Sequence, residues 1–163
     1  MRSSLPNRAI AAAATTLLLG GCLAPMPQPI VPLNSRLEAL GANRDPALSG
    51  RWLALISGRG GREQVLLLDL ERQQPVALPA LNRVGAQPVS VSVDAAGERI
   101  ALVRQLDGRT ELVLYRRSAQ SLQPIAMVPS GVAHQVQLQA DGRQLAVQVS
   151  RGGIWQVDLV QIP

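Results

Sequence analysis

Residue types that do chemistry are few in this chain of 163 residues, and most stand alone. There is no lysine, so neither a P-loop nor a Schiff base can form. His134 is the only histidine, which removes two-histidine metal sites and makes any Ser-His-Asp arrangement depend on it. It stands eight residues before Gly142, as Val89 stands before Gly97, so it reads as the start of a strand rather than as a general base. No Gly-x-Ser-x-Gly elbow is present. Asp94, Asp107 and Asp141 flank glycine turns, where a carboxylate serves the backbone. Gly58-Arg59-Gly60-Gly61 has the glycine content of a phosphate loop but lies between two apolar runs, and a hairpin tip is the better reading. No catalytic residue, cofactor or metal ligand is expected. One reactive side chain is left: Cys22, the single thiol.

The segment before Cys22 explains it. Arg2 and Arg8 make a positive start, Ala9 to Leu19 is apolar, and Leu19-Gly20-Gly21-Cys22 follows. The run is shorter than the ~20 residues that span a bilayer and has the layout of a secretory signal. Its end resembles the bacterial lipobox, a small-residue cleavage site directly before a cysteine. That resemblance implies cleavage after Gly21, with a thioether-linked diacylglycerol and an amide-linked chain on Cys22. The alternative is a buried free cysteine at the end of a hydrophobic stretch. Leu23, where an aspartate would signal inner-membrane retention in enterobacteria, implies the outer membrane. Residues 1–21 are therefore expected to be a signal peptide of an exported, lipid-anchored protein facing the periplasm. Residues 22–44 carry the acylated cysteine and a Pro-rich spacer. The alternating prolines from Pro25 to Pro29 favour extended polyproline II.

Composition bounds the remainder. Hydrophobic residues make up 47% and charged residues 17%, enough for a core and unlike a disordered chain. Aromatics are 2%, so the core must be built from Val, Leu, Ile and Ala, which with 14 Gly and 12 Pro suits short strands and tight turns. All 16 basic residues are arginine and the formal charge is +5. They are scattered, and stacking aromatics are lacking, so nucleic acid is not an expected partner.

An internal repeat dominates residues 45–163. Ser49-Gly50-Arg51-Trp52-Leu53-Ala54-Leu55 matches Ala96-Gly97-Glu98-Arg99-Ile100-Ala101-Leu102 and Asp141-Gly142-Arg143-Gln144-Leu145-Ala146-Val147. Eleven residues after each first glycine stands another (Gly61, Gly108, Gly153), and four further on Val65, Leu112 or Val157. A spacing of 47 and then 45 residues, from Gly50 to Gly97 to Gly142, is that of a repeat architecture. Repeats over about 45–86, 87–132 and 133–163 each predict an antiparallel meander. In the second, Val89 to Val93 alternates as a half-buried strand does. Arg99 to Gln105 follows, Asp107-Gly108 marks a hairpin, Thr110 to Tyr115 returns, and Pro124 to Val128 forms an outer strand. Runs such as Val65 to Leu68 and Ile100 to Val103 are apolar on both faces, as in sheets covered on both sides.

The Gly-x-x-(Leu/Ile/Trp)-Ala-(Leu/Val) core, the glycine hairpin and the apolar strand after it resemble the repeat of TolB-type β-propellers, in particular short TolB-like lipoproteins of cyanobacteria. Only Asp141 keeps the aspartate that usually precedes the first glycine in that family; Ser49 and Ala96 replace it elsewhere. The resemblance implies an all-β chain of three propeller-blade repeats, acting by binding rather than catalysis. The TolB-type propeller has six blades and belongs to a periplasmic protein of the Tol–Pal system. Its amino-terminal α/β domain has no counterpart here, so the Tol role does not carry over.

Three blades do not close a ring. The third repeat ends without an outer strand, while Gln28-Pro29-Ile30-Val31-Pro32 resembles the outer-strand segments Gln74 to Pro79 and Gln123 to Pro129. Pro29 to Leu33 is then either a detached outer strand pairing with Ile154 to Val160, in the same chain or a partner, or more of the spacer. Ser35-Arg36-Leu37-Glu38 is a candidate helix start. An open third sheet also leaves an edge beside Trp155 to Leu159, and a homodimer would bring the blade count to six. For binding, hairpin tips and blade connections share one end, grouping Arg59, Arg62, Asn82, Arg83, Arg109 and Arg151 as a candidate face. Arg51, Arg99 and Arg143 lie at the other. The expected partner is an envelope protein or, through the anchor, the membrane. A self-assembling envelope subunit is the second reading, an enzyme or its inhibitor the third.

Overall fold

Each glycine pair folds its repeat into one sheet. The structure, a computed structural model, describes residues 25–163; the expected signal peptide and Cys22 lie outside the described residues. Blade 1 contains β1 (Ala42–Ser49), β2 (Trp52–Arg59), β3 (Arg62–Asp69) and β4 (Gln74–Val76). Blade 2 contains β5 (Gln87–Val93), β6 (Arg99–Leu106), β7 (Arg109–Arg116) and β8 (Ser121–Pro124), and blade 3 contains β9 (Val132–Leu138), β10 (Gln144–Arg151) and β11 (Ile154–Gln161). Every neighbouring pair is antiparallel and strand order follows the chain, giving sheets of four, four and three strands. Among the described residues the chain is all-β apart from one helix, α1 (Val31–Ala39).

The strands that feed two cores are those of the middle blade. Ile100, Leu102, Val113 and Tyr115 join Trp52, Ala54, Ile56, Val65 and Leu67 of blade 1 in one core. Ala101, Val103, Leu112 and Leu114, alternating with them along β6 and β7, join Leu138, Leu145, Val147 and Val149 of blade 3 in a second. The period-two alternation of side chains thus sends one strand into two cores. Polar bonds knit the inner strands together: the Asp45 carboxylate accepts the Val91 amide, Ser90 Oγ the Val136 amide at 3.2 Å, and Ser92 Oγ the Leu138 amide at 2.8 Å. Arg44 reaches from blade 1 to the carbonyls of Pro88 and Val89 at 2.8 and 3.0 Å. The Tyr115 hydroxyl, buried in the first core, donates to Pro79 O at 2.8 Å.

The hairpin tips obey the turn chemistry. Asp107 and Gly108 both have positive φ (50° and 73°), as a two-residue type I′ turn needs. The first-turn glycine of blade 2 has a second role: Gly97 (φ 65°) lies so close to Trp52 that any Cβ would overlap the indole. The Cζ atoms of Arg51 and Arg117 both sit 4.8 Å from that ring's centroid.

Three expectations need correction. Pro29 to Leu33 forms no strand: Val31 to Leu33 open α1, and β11 pairs only with β10 among the described residues. Pro32 sits in the first helical turn, where its missing N–H costs nothing, and Leu33, Leu37 and Leu40 fall on one helical face. For the same reason the helix starts before Ser35, which lies mid-helix and is no cap. The outer strands are shorter than expected: β4 ends at Val76 rather than Pro79, and β8 runs Ser121–Pro124 rather than from Pro124 to Val128. Past Pro124 the ladder keeps only the Ile125 amide on Leu112 O, at 2.8 Å. Pro75 and Pro124 stand inside these short ladders and remove one donor from each, so the outer strands are held by few bonds.

Candidate binding surfaces

Arginines gather at both ends of the sheets, and most are already engaged. At the end carrying the first turns, Arg51 pairs with Glu71 at 2.9 Å and with Asp69 at 3.5 Å, while Arg99 donates to Gly142 O at 2.8 Å and, with Arg116, to Pro163 O. Asp69, which the sequence did not single out, also accepts the amides of Glu71 and Arg72. Of the turn aspartates that it did, Asp94 accepts the Glu98 amide at 2.8 Å and Asp141 the Arg143 amide at 2.9 Å.

At the hairpin-tip end the six proposed residues separate into two groups. Asn82 is committed to structure: its amide oxygen accepts from Val65 N and its amide nitrogen donates to Val65 O, both at 2.8 Å, so its side chain stands in for a strand residue beside β3. Arg151 is committed too. It donates to Asp158 Oδ1 at 2.9 Å, Gln156 Oε1 at 3.0 Å and the carbonyls of Pro129 and Ser130. It thereby clamps the linker between blades 2 and 3. Arg59, Arg62, Arg83 and Arg109 are exposed. Arg59 and Arg62 face each other across the Gly60-Gly61 tip, an unfavourable pairing of like charges that concentrates positive potential there.

Three ion pairs brace this end; one joins the buried Arg104 to Glu111 at 3.1 Å, and the other two each lower a carboxyl pKa. Arg44 Nη2 lies 2.7 Å from Glu63 Oε2, joining β1 to β3, and Arg151 holds Asp158. Hydrogen bonds from these arginines are the main reason both carboxyls are held below the ordinary carboxylate range. A depressed folded-state pKa stabilises above the unfolded value, near ~4, and that benefit is lost as pH falls through the folded value. Thermal stability should therefore stay level from about pH 9 to about pH 5 and decline below about pH 4. Glu63→Gln should flatten part of that acid limb in a pH series of melting curves. An unchanged limb would mean that the pair contributes nothing.

The second surface is the outward face of blade 3. In every blade the residues four, fifteen and seventeen positions after the first glycine point toward the following blade. They are Ala54, Val65 and Leu67; Ala101, Leu112 and Leu114; and Ala146, Val157 and Leu159. The first two sets are sealed in the cores, with Leu67 0% and Leu114 2% exposed. Among the described residues no further blade packs on blade 3, and Val157 and Leu159 are 68% and 77% exposed. Trp155, 55% exposed, continues the stripe and meets His134 edge-on with ring centroids 5.2 Å apart. His134 lies in β9, as its spacing predicted. Gln135 and Gln137 stand at the positions of Ser90 and Ser92. A cleft of about 740 Å³, lined by stretches of all three inner strands, reaches this face at Ala146 and Leu159. The edge of β11 was legible as unpaired from the sequence. The apolar face beside it becomes a site only once the cores show which strand face each blade turns to the next.

No protein-family model matches the chain, and no curated protein matches it. Among solved structures it is similar to TolB from Acinetobacter baumannii, with 17% identity and a TM-score of 0.58 over 75% of this chain and 30% of that one. It is also similar to the β-propeller domain of the Trilobed protease from Pyrococcus furiosus, which has an open velcro topology, with 13% identity and a TM-score of 0.50 over 76% of this chain and 43% of that one. The chain thus spans less than half of either structure. The likeness establishes the fold: three blades of a TolB-like β-propeller.

Proposed function

We propose that this chain is a protein-docking module, anchored through an acylated Cys22 to a membrane facing the periplasm, and that the outward face of blade 3 is where its partner binds. The observation that carries the reading is the exposure of Val157 and Leu159 at positions that in blades 1 and 2 are buried blade-to-blade contacts. An apolar stripe bordered by glutamines and free of formal charge on β10 and β11 is suited to another protein surface rather than to water. The adjoining edge of β11, which pairs with no further strand among the described residues, offers backbone groups for strand addition. Arg59, Arg62, Arg83 and Arg109, on the tips and linker of blades 1 and 2, make that end of the propeller positive, which would speed encounter with an acidic partner and would do so less at high salt. Catalysis is not part of this reading, because the lone imidazole is packed against Trp155 and nothing else on that face titrates.

Leu159 replaced by a photo-crosslinking phenylalanine analogue in the intact protein, irradiated in cells, should give a discrete higher-mass adduct. The same analogue at Ala119, exposed in the β7–β8 turn, should not. Absence of any adduct at position 159, or equal labelling at both positions, would defeat the assignment of this face.

A further inference from the structure

Among the described residues no blade precedes blade 1, and the face that would receive one is the other terminal face of the propeller. Residues three, five, sixteen and eighteen after the first glycine receive the preceding blade: Ile100, Leu102, Val113 and Tyr115 do so in blade 2. Their counterparts in blade 1 are Leu53, Leu55, Leu66 and Leu68, all leucine. Such a face left bare would resemble the outward face of blade 3. Instead Leu55 and Leu68 are buried. Two bonds bring α1 and its following turn over this side of the sheet: Ser57 Oγ, on the same face as Leu53 and Leu55, donates to Leu40 O at 3.2 Å, and Arg36 Nη1 donates to Gln73 O at 2.6 Å.

We propose that α1 is a displaceable cap on this blade-receiving face, and that the occupant it holds off is blade 3 of a second copy of this chain. The proposal rests on the reading of blade 3 as a docking face, and names what docks there. Both halves of the contact exist in the molecule already. Ala146, Val157 and Leu159 repeat the donor positions of the two internal blade contacts, and the four leucines repeat the receiving positions. A blade of this chain is therefore the surface whose shape each half already matches, whereas two blade-3 faces apposed would repeat no contact seen within the chain. The cap is lightly held. Leu33 is the one residue of α1 that is buried, against the extensive apolar cluster that closes each internal blade contact. Head-to-tail contacts of this kind close into a ring when the rotation permits and otherwise propagate.

The test is self-association of the full-length protein in mild detergent, followed by light scattering across a concentration series. Leu33→Asp and Arg36→Ala, which loosen the cap from opposite sides, are each expected to strengthen association at least tenfold. Leu159→Asp should abolish it, with circular dichroism confirming unchanged β structure; Gln148→Arg, on the same face, serves if that variant misfolds. A dimer broken by Leu159→Asp but indifferent to both cap variants would overturn the proposal in favour of a blade-3 to blade-3 contact. Monomers throughout, cap variants included, would overturn it as well. If the crosslink at position 159 still forms with a different protein in that case, the docking face survives and only its occupant is wrong. If that crosslink is missing too, both readings fall.

Discussion

Gly97→Ala is expected to destabilise the protein by about 2–5 kcal/mol, far more than an alanine at most glycine turns. Two costs add. An L-residue at φ 65° costs about 1–2 kcal/mol against its β-carbon. The new methyl also meets the Trp52 indole, lying 2.6 Å from Nε1. Trp52 is buried in the first core with the guanidinium groups of Arg51 and Arg117 against it, so the ring cannot retreat without opening the contact between blades 1 and 2. Forcing extra volume into such a site typically costs about 1–3 kcal/mol more. Gly108→Ala is the matched control: its φ of 73° is equally positive, but nothing lies within 4 Å of the added carbon. That variant should lose only about 1–2 kcal/mol. Urea denaturation of both, read as midpoint shifts at constant slope, separates the backbone cost from the packing cost. Equal midpoints would show that the indole yields freely and that the contact between blades 1 and 2 is soft.

Cys22→Ser should transfer the protein from the membrane fraction to the soluble fraction, or leave it as an unprocessed precursor of higher mass. Each buried methylene contributes about 0.8 kcal/mol, so one acyl chain gives reversible binding and a diacylglycerol plus an amide-linked chain gives lasting attachment. Serine cannot form the thioether, and the step that depends on it is lost. Fractionation paired with incorporation of labelled fatty acid reads the result directly. A serine variant still in membranes at mature mass, together with a wild type that takes up no label, would falsify the anchor.

Much of the fold was legible because it repeats. Gly50, Gly97 and Gly142 set the first turns, Gly61, Gly108 and Gly153 the second, and the strands between them had to be antiparallel because the loops are too short for anything else. The two-faced hydrophobicity of Ile100 to Val103 announced a sheet covered on both sides. The first outer strand was legible in place but not in length, and the second lies three residues earlier than the apolar run suggested, since no periodicity marks where so short a pairing begins or ends. At the tips the sequence grouped six polar residues by topology. It could not tell that Asn82 and Arg151 turn inward to backbone partners, because those partners, Val65 and Pro129, are fixed by how blades and linkers pack.

Pro29 to Leu33 depends on tertiary context in the same way. A short Gln-Pro-apolar segment fits an edge strand and a helix entrance equally well at the local level. What decides is whether Leu33, Leu37 and Leu40 find an apolar surface at helical spacing, and the leucine face of blade 1 is a tertiary object. By itself the sequence determined the number of blades, their strand order and the turn chemistry, since those follow from periodicity and from backbone angles that glycine alone accepts readily. Which faces are sealed and which remain open was decided only by the packing of blade on blade. Leu67, Leu114 and Leu159 are the same residue at the same repeat position, and only the presence or absence of a following blade makes two of them core and the third a surface.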